Sequence, residues 1–424
     1  MEIYVVEAGD TLGRIGASFG VEPELLARQN GLDLEQPLVV GQALVIAKPQ
    51  LIYRVRPGDT LYGLARQFGT TVRQIWRNNP WLESQYLLYP DQPLILRYRD
   101  AGGPEFFING YAYPGVDQNI LGQSLACMNT VGVFAYGFDA QGNLLRPRLG
   151  SLPDRVRQAG SGLLLVLASL DEMGAFDSQR ATDVLQSPEK RQRLIDQVVE
   201  EVLRQSMAGV DLDFEYVRAE DGPAYVQFTQ ELHQALADLG LRLTVAVAPK
   251  TVPDQPGLLY EGHDYQALGA AVDGVVLMTY EWGYTYGPPM AVAPLPEVER
   301  VALYGVTEIP PAKILLGMAN YGYDWTLPYQ PERAARSIGN QEAVDLARQY
   351  GASIQFDQAS QSPYFFYRTP AGEEHVVWFE DARSISGKMA LAAGLGLGGL
   401  SYWTLGRPFL QNWMVLATAY TLRP

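Results

Sequence analysis

The stretch Gly209-Val210-Asp211-Leu212-Asp213-Phe214-Glu215 sets three carboxylates two residues apart inside an otherwise apolar run. Successive side chains of a β-strand point to opposite faces, so Asp211, Asp213 and Glu215 are expected on one face and Val210, Leu212 and Phe214 on the other. Three acids on one buried strand are costly unless hydrogen bonding or protonation relieves them. Such strain marks an active site more often than a purely structural strand.

Around this stretch, from residue 105 onward, short apolar runs alternate with helical segments. The runs cover 106–112, 130–136, 162–168, 209–214, 241–248, 274–280, 313–320 and 397–403. Eight near-continuous apolar strands interleaved with helices predict an α/β fold, a (β/α)8 TIM barrel over 105–424. The interval 321–379 is too long for one loop and helix. It holds a helical stretch (341–350) and strand-like pieces (353–356, 364–368, 375–379), so a small α+β insert is expected there. Barrels carry their chemistry at the C-terminal ends of strands. Those ends here bear Tyr111, the acid row, Met278-Thr279-Tyr280-Glu281, Asn320-Tyr321 and Tyr402-Trp403.

The N-terminal part is a repeat with an offset of 49 residues. Tyr4, Val6, Gly9-Asp10-Thr11-Leu12 and Phe19-Gly20 recur as Tyr53, Val55, Gly58-Asp59-Thr60-Leu61 and Phe68-Gly69, followed by Asn30 and Asn79. Each copy reads as strand, Gly-Asp-Thr turn, a helix capped by Asp or Thr, a second helix and a closing strand. Both copies resemble the LysM family, over 2–47 and 51–97. The resemblance implies small βααβ modules that bind N-acetylglucosamine-containing glycans through the loop after the first strand (Gly9, Asp10, Thr11, Leu12; Gly58, Asp59, Thr60, Leu61) and the loop before the last (38–42; 87–92). The aspartates read equally well as turn and cap residues. Two modules in series are expected to raise avidity for a polymer. Short linkers, 48–50 and 97–104, separate the three units.

The net charge of −15 is unevenly placed: residues 1–98 hold 9 Lys+Arg and 10 Asp+Glu, and the remainder carries about −14. An acidic body argues against nucleic acid as partner, since phosphate binding needs a basic surface. Cys127 is the only cysteine, which excludes an intramolecular disulfide framework. His233, His263 and His375 show no metal-ligand spacing, and no cofactor motif appears. No apolar run approaches 18 residues, so no membrane span is expected. The start, Met1 to Asp10, lacks a charged n-region and an apolar h-region, so Sec-type export is not expected unless a longer precursor is processed.

The large domain resembles glycoside hydrolase family 18, the chitinase-like barrels. The strand-four signature of that family, Asp-Gly-x-Asp-x-Asp-x-Glu, stands here as Ala208 to Glu215, with Ala208 in place of the first acid. Its strand-six Met-x-Tyr-Asp stands as Met278 to Glu281, and its strand-eight Trp as Trp403. Its strand-three Ser-x-Gly-Gly is replaced by Ala168-Ser169-Leu170. The segments 278–289 and 377–381 are similar to the LysM-bearing, SleL-like spore cortex-lytic enzymes of the family.

This resemblance implies retaining, substrate-assisted hydrolysis of peptidoglycan after N-acetylglucosamine, with no metal and no cofactor. Glu215 would be the general acid, and Asp213 would orient the 2-acetamido group. Asp211 would share a proton or hydrogen bond with Asp213, and Tyr280 would donate to the acetamido oxygen. Glu281, Asn320, Tyr321, Tyr111 and Trp403 would contact the sugar, Trp403 as its floor. The resemblance also implies residence in the spore coat or cortex region after synthesis in the mother cell, or association with the cell wall. Two alternatives stay open: a chitinase, and an inactive glycan-binding coat protein. Oligomeric state is not legible.

Overall fold

The eight predicted strands close on themselves. In the computed structural model, which describes residues 1–82, 87–99, 102–171 and 174–423, they are β1 (Glu105–Ala112), β2 (Thr130–Phe138), β3 (Gly162–Ala168), β4 (Gly209–Asp213), β5 (Arg242–Val247), β6 (Gly274–Leu277), β7 (Ile314–Ala319) and β8 (Gly399–Trp403). Neighbours in this order pair in parallel, and β8 pairs with β1, which completes a TIM barrel.

The apolar face of β4 holds the barrel to its helices. Val210, Leu212 and Phe214 are fully buried in the main core with Val198, Val202, Phe228 and Leu232. The Phe214 ring lies parallel to Tyr225 at 5.2 Å. Burying such a ring is worth ~1.5–3 kcal/mol. The helix Pro188–Arg204 that covers this face starts at Ser187, whose hydroxyl accepts the Lys190 N–H, with Pro188 preset in the first turn. Inside the barrel, Ala246, Val276 and Leu315 pack with Phe107 and Met278.

Between β7 and the helix Ala382–Gly394 stands the insert, an antiparallel five-stranded sheet with the helix Asn340–Gln349 against one face. Two of its strands, Gly322–Leu327 and Arg336–Ile338, did not stand out in the sequence. Gly322–Leu327 follows β7 after only two residues, so the apolar pattern runs on without a turn signal.

The two N-terminal repeats each form a two-stranded antiparallel sheet with two helices: Glu2–Val5 with Ala43–Ile46, and Pro49–Arg54 with Pro93–Tyr98. Thr11 and Thr60, not the aspartates, are the N-caps, accepting the N–H groups of Arg14 and Gly63. Gly9 and Gly58 turn at φ +86° and +90°, a backbone region that favours glycine. Both modules dock on the barrel through the helix Leu410–Ala419. Gln411 donates to the Ala43 carbonyl at 2.7 Å, and Arg77 donates to the carbonyls of Leu416 and Tyr420, each at 2.6 Å.

The modules differ at the loop before their last strand. In the first, Val39 is buried in the insert's core beside Ile338, Val344 and Phe365. The Ile354 N–H donates to the Val40 carbonyl at 2.9 Å, and Arg383 donates to the Gly41 carbonyl at 3.2 Å. In the second, Leu87 and Tyr89 are 59% and 62% exposed. The insert thus covers one of the two loops of the first module, while the corresponding loop of the second is exposed. In the second linker, residues 100 and 101 lie outside the described residues.

Candidate active site

The carboxylates emerge at the C-terminal end of β4. The strand itself ends at Asp213, and Glu215 sits just past it, half-buried. Asp211 is the deepest of the three. Its two oxygens accept the hydroxyls of Tyr111, at 2.8 Å, and of Thr244. Thr244 faces Asp211 because β5 pairs with β4 in that register. Burial pushes the Asp211 carboxyl up to about 6, against the lowering effect of these two donors. The charge of Asp211 also acts on Asp213 two residues along the strand. Both Asp211 oxygens already have hydroxyl donors, so no shared proton is needed to hold it.

Asp213 is only 5% exposed, and its Oδ1 is buried with no hydrogen-bond partner among the described residues. Burial, with the charges of Glu215 and Asp211 beside it, drives its carboxyl well above the usual range. Burial also lifts Glu215 to about 7, with Glu281 adding to the shift. The Tyr280 hydroxyl is pushed up by burial and by the surrounding carboxylates, Asp213 foremost. Burial and neighbouring acids thus raise both Asp213 and Glu215, and Asp213 carries an oxygen with no hydrogen-bond partner among the described residues. Perturbed, under-satisfied carboxyl groups of this kind mark a candidate active site.

These groups line a cleft of about 710 Å³ at the barrel mouth, with Tyr111, Phe134, Tyr280 and Trp403 among its walls. Trp403 packs edge-on against Phe134, Tyr111 and Tyr113, at centroid distances of 4.6, 5.4 and 6.1 Å. Glu281, at φ +68°, accepts the hydroxyls of Tyr321 and, at 3.1 Å, Tyr323. Burial raises its carboxyl and the two tyrosines oppose the rise. Tyr321 therefore spends its hydroxyl on Glu281. Asn320 is buried, with its amide Nδ2 donating to the carbonyls of Thr404 (2.7 Å) and Arg407 (3.1 Å). Ala208, where the signature's first acid would stand, sits at the start of β4 over Gly162 on β3. A Cβ placed on Gly162 would lie 2.8 Å from that of Ala208, so little room surrounds this position.

A family model for glycosyl hydrolases family 18 matches residues 171–407, and one for the LysM domain matches 4–47 and 53–97. The Cortical fragment-lytic enzyme of Bacillus subtilis (strain 168) is 38% identical over all of this chain and 99% of its own length. The chain belongs to glycosyl hydrolase family 18. The spore cortex-lytic enzyme SleL of Bacillus megaterium QM B1551 superposes with a TM-score of 0.84 at 34% identity, covering 99% of this chain and 98% of that one. A chitinase from Chromobacterium violaceum covers 74% of this chain and 98% of its own, with a TM-score of 0.68 at 28% identity.

This family-18 glycoside hydrolase brings Tyr111, Asp213, Glu215, Tyr280, Glu281 and Trp403 to one cleft; Asp211 lies beneath it, and Asn320 and Tyr321 in an adjoining hollow. The aspartates of the modules behave in the opposite way. Asp10 accepts the Glu7 N–H at 2.8 Å and the Tyr4 hydroxyl at 2.7 Å, and both bonds hold its carboxyl below the usual range. Asp59 does the same with the Arg56 N–H (2.7 Å) and Tyr53 (2.8 Å).

Three supporting residues escape sequence reasoning. Thr244 becomes visible only once β4 and β5 are placed in register. Tyr323 belongs to an insert strand that gave no signal. His263 accepts the Ala248 N–H on Nδ1 at 3.0 Å, so its proton is on Nε2, which donates to the Phe214 carbonyl at 2.9 Å. This neutral ring, with its pKa lowered to about 4 by burial, fixes the Phe214–Glu215 peptide. An isolated histidine carries no pattern that would reveal this.

Proposed function

We propose that the enzyme hydrolyses spore-cortex peptidoglycan after N-acetylglucosamine, with retention and with the substrate's own acetamido group as nucleophile. The observation that carries the reading is the buried, unpartnered Oδ1 of Asp213, two residues before Glu215. An acetamido N–H donating to that oxygen turns its carbonyl oxygen toward the anomeric carbon. Glu215, protonated near pH 7, gives its proton to the leaving oxygen, then takes one from water. Asp213 stabilises the positive oxazolinium formed between. Tyr280 donates to the acetamido oxygen, Trp403 forms the sugar's floor, and Asp211, held by Tyr111 and Thr244, fixes the base of the row.

The mechanism restricts the substrate. The sugar donating the broken bond must carry an N-acetyl group, and the lactam form of muramic acid has none. The full-length similarity to cortex-lytic enzymes supports cortex glycan as the polymer, with the LysM modules as its anchors. It supports action in the spore coat or cortex region after synthesis in the mother cell. The two modules share one glycan-binding task unequally, since only the second has both loops open.

The test is a digestion of purified cortex fragments by wild type and Glu215→Gln, followed by reduction and mass spectrometry. Ends in reduced N-acetylglucosamine, made by wild type only, are expected. Ends in reduced muramic residues would sink the reading. Cleavage of chitin oligomers alone would move the activity to a chitinase. Glycan binding without cleavage would make the protein a coat lectin.

A further inference from the structure

A second hollow, of about 320 Å³, continues from the cleft on the side of the insert and shares Glu281 and Trp403 with it. Tyr113, Asn320, Tyr323, Ser337 and Arg407 form its other walls. Neither Glu215 nor Asp213 reaches it. Two polar atoms here are buried without a hydrogen-bond partner among the described residues: Nη1 of Arg407 and Oδ1 of Asn320, a residue only 1% exposed. The guanidinium is otherwise fixed, with Nη2 donating to the Ser337 hydroxyl at 3.0 Å. The carboxylate in the same hollow, Glu281, is already occupied by Tyr321 and Tyr323. One charged donor and one amide acceptor thus stand without partners among the described residues. Leaving such groups unmatched is expensive, and a ligand that matches them gains most of that cost back.

The direction of the chain across the site follows from the catalytic reading, on which this inference rests. Glu215 protonates the bond to the departing sugar, so the departing strand lies on its side, along Phe176, Tyr216 and Tyr260. The sugar over Trp403 is the reacting one, and the retained strand runs past Trp403 into the hollow. In an alternating polymer cut after N-acetylglucosamine, the next retained sugar is muramyl. Its C3 oxygen carries a lactyl ether that ends in a carbonyl oxygen, whether as free acid, amide or lactam. In chitin the same position carries only a hydroxyl.

We infer that this hollow is a specificity subsite in which Arg407 Nη1 donates to the carbonyl oxygen of the 3-O-lactyl group of a muramyl sugar, while Asn320 Oδ1 accepts from a hydroxyl or N–H of the retained strand. Ser337, from the insert, is a positioning residue that aims the guanidinium. The insert thereby separates peptidoglycan from chitin within one catalytic frame.

The experiment compares kcat/KM of the full-length enzyme on an alternating muramyl–N-acetylglucosamine oligosaccharide and on a chitin oligosaccharide of equal length. Arg407→Ala is expected to lower the muramyl-to-chitin ratio by about tenfold or more, the scale for removing a buried donor that a substrate group matches. Arg407→Lys restores part of the ratio, and Ser337→Ala lowers it by a smaller factor. A merely structural Arg407, tying barrel to insert, reduces both substrates alike and leaves the ratio unchanged. An unchanged ratio in both Arg407→Ala and Arg407→Lys overturns the inference while the catalytic reading stands. A wild type that cleaves neither oligosaccharide overturns both.

Discussion

The aspartates of the N-terminal modules and the carboxylates of β4 come from equally conspicuous sequence words, and the fold treats them in opposite ways. Asp10 and Asp59 each receive a backbone N–H and a tyrosine hydroxyl, and both are held below the usual carboxylate range. Asp213 and Glu215 are buried beside other acids and are pushed up, Glu215 to about 7. The first pair is consumed in making a turn. The second is left short of partners, and the barrel core, through Val210, Leu212 and Phe214, supplies the stability that holds it there. Satisfaction, not residue type, separates a structural acid from a chemical one. Asp211 stands between these cases, buried like the others but with a hydroxyl donor on each oxygen.

The largest effect that would break this comparison is at Glu215. Glu215→Gln cannot donate a proton, and kcat on cortex fragments is expected to fall by about 10²–10⁴, measured by release of reducing ends. A fall under tenfold would place Glu215 with the structural acids. Asp213→Asn keeps only a weaker, neutral acceptor for the acetamido N–H and loses the charge that stabilises the oxazolinium. A loss of about 10²–10³ in kcat with KM little changed is expected.

A smaller effect sharpens the electrostatic half. The general acid must be protonated, so kcat/KM falls as pH rises through about 7. Glu281 adds negative charge beside Glu215 and so opposes its ionisation. In Glu281→Gln that opposition is gone, Glu215 ionises more readily, and the alkaline limb of the profile moves to lower pH. A limb that stays in place or moves upward contradicts the coupling.

The same shift has a stability sign. Glu215 binds its proton more tightly folded than unfolded, so its contribution is fully present below the unfolded value and is lost as pH rises through about 7. Glu215→Gln lacks this loss. Its Tm is expected to exceed that of wild type at pH 8 by on the order of a few degrees, and by less at pH 4.5. Calorimetry at both pH values reads the difference.

How much of this was legible in the sequence depends on range. The eight strands follow from apolar runs bounded by helical stretches, and the acid row from its period of two, because both are local patterns. The closing loop of the first module contains Val39, which reads as an ordinary loop valine. Only the insert, some three hundred residues away, turns it into core. Tyr111 and Thr244 as donors to Asp211 likewise depend on which strands become neighbours. The unpartnered atoms of Asn320 and Arg407 are products of three elements meeting at the barrel mouth, and no spacing along the chain encodes them.

The smallest predicted effect tests the structural side. Asp59→Asn keeps the size of the side chain but weakens it as an acceptor for the Arg56 N–H and the Tyr53 hydroxyl. Thr60 still caps the helix Leu61–Gln67, and Gly58 still turns the chain, so the module folds. The change is expected as faster hydrogen exchange at the Arg56 amide, confined to that turn, with the barrel amides of β4 unaffected. Exchange that accelerates in β4 as well would mean that the module turn is coupled to the catalytic strand. The two classes of acid would then belong to one cooperative unit instead of two.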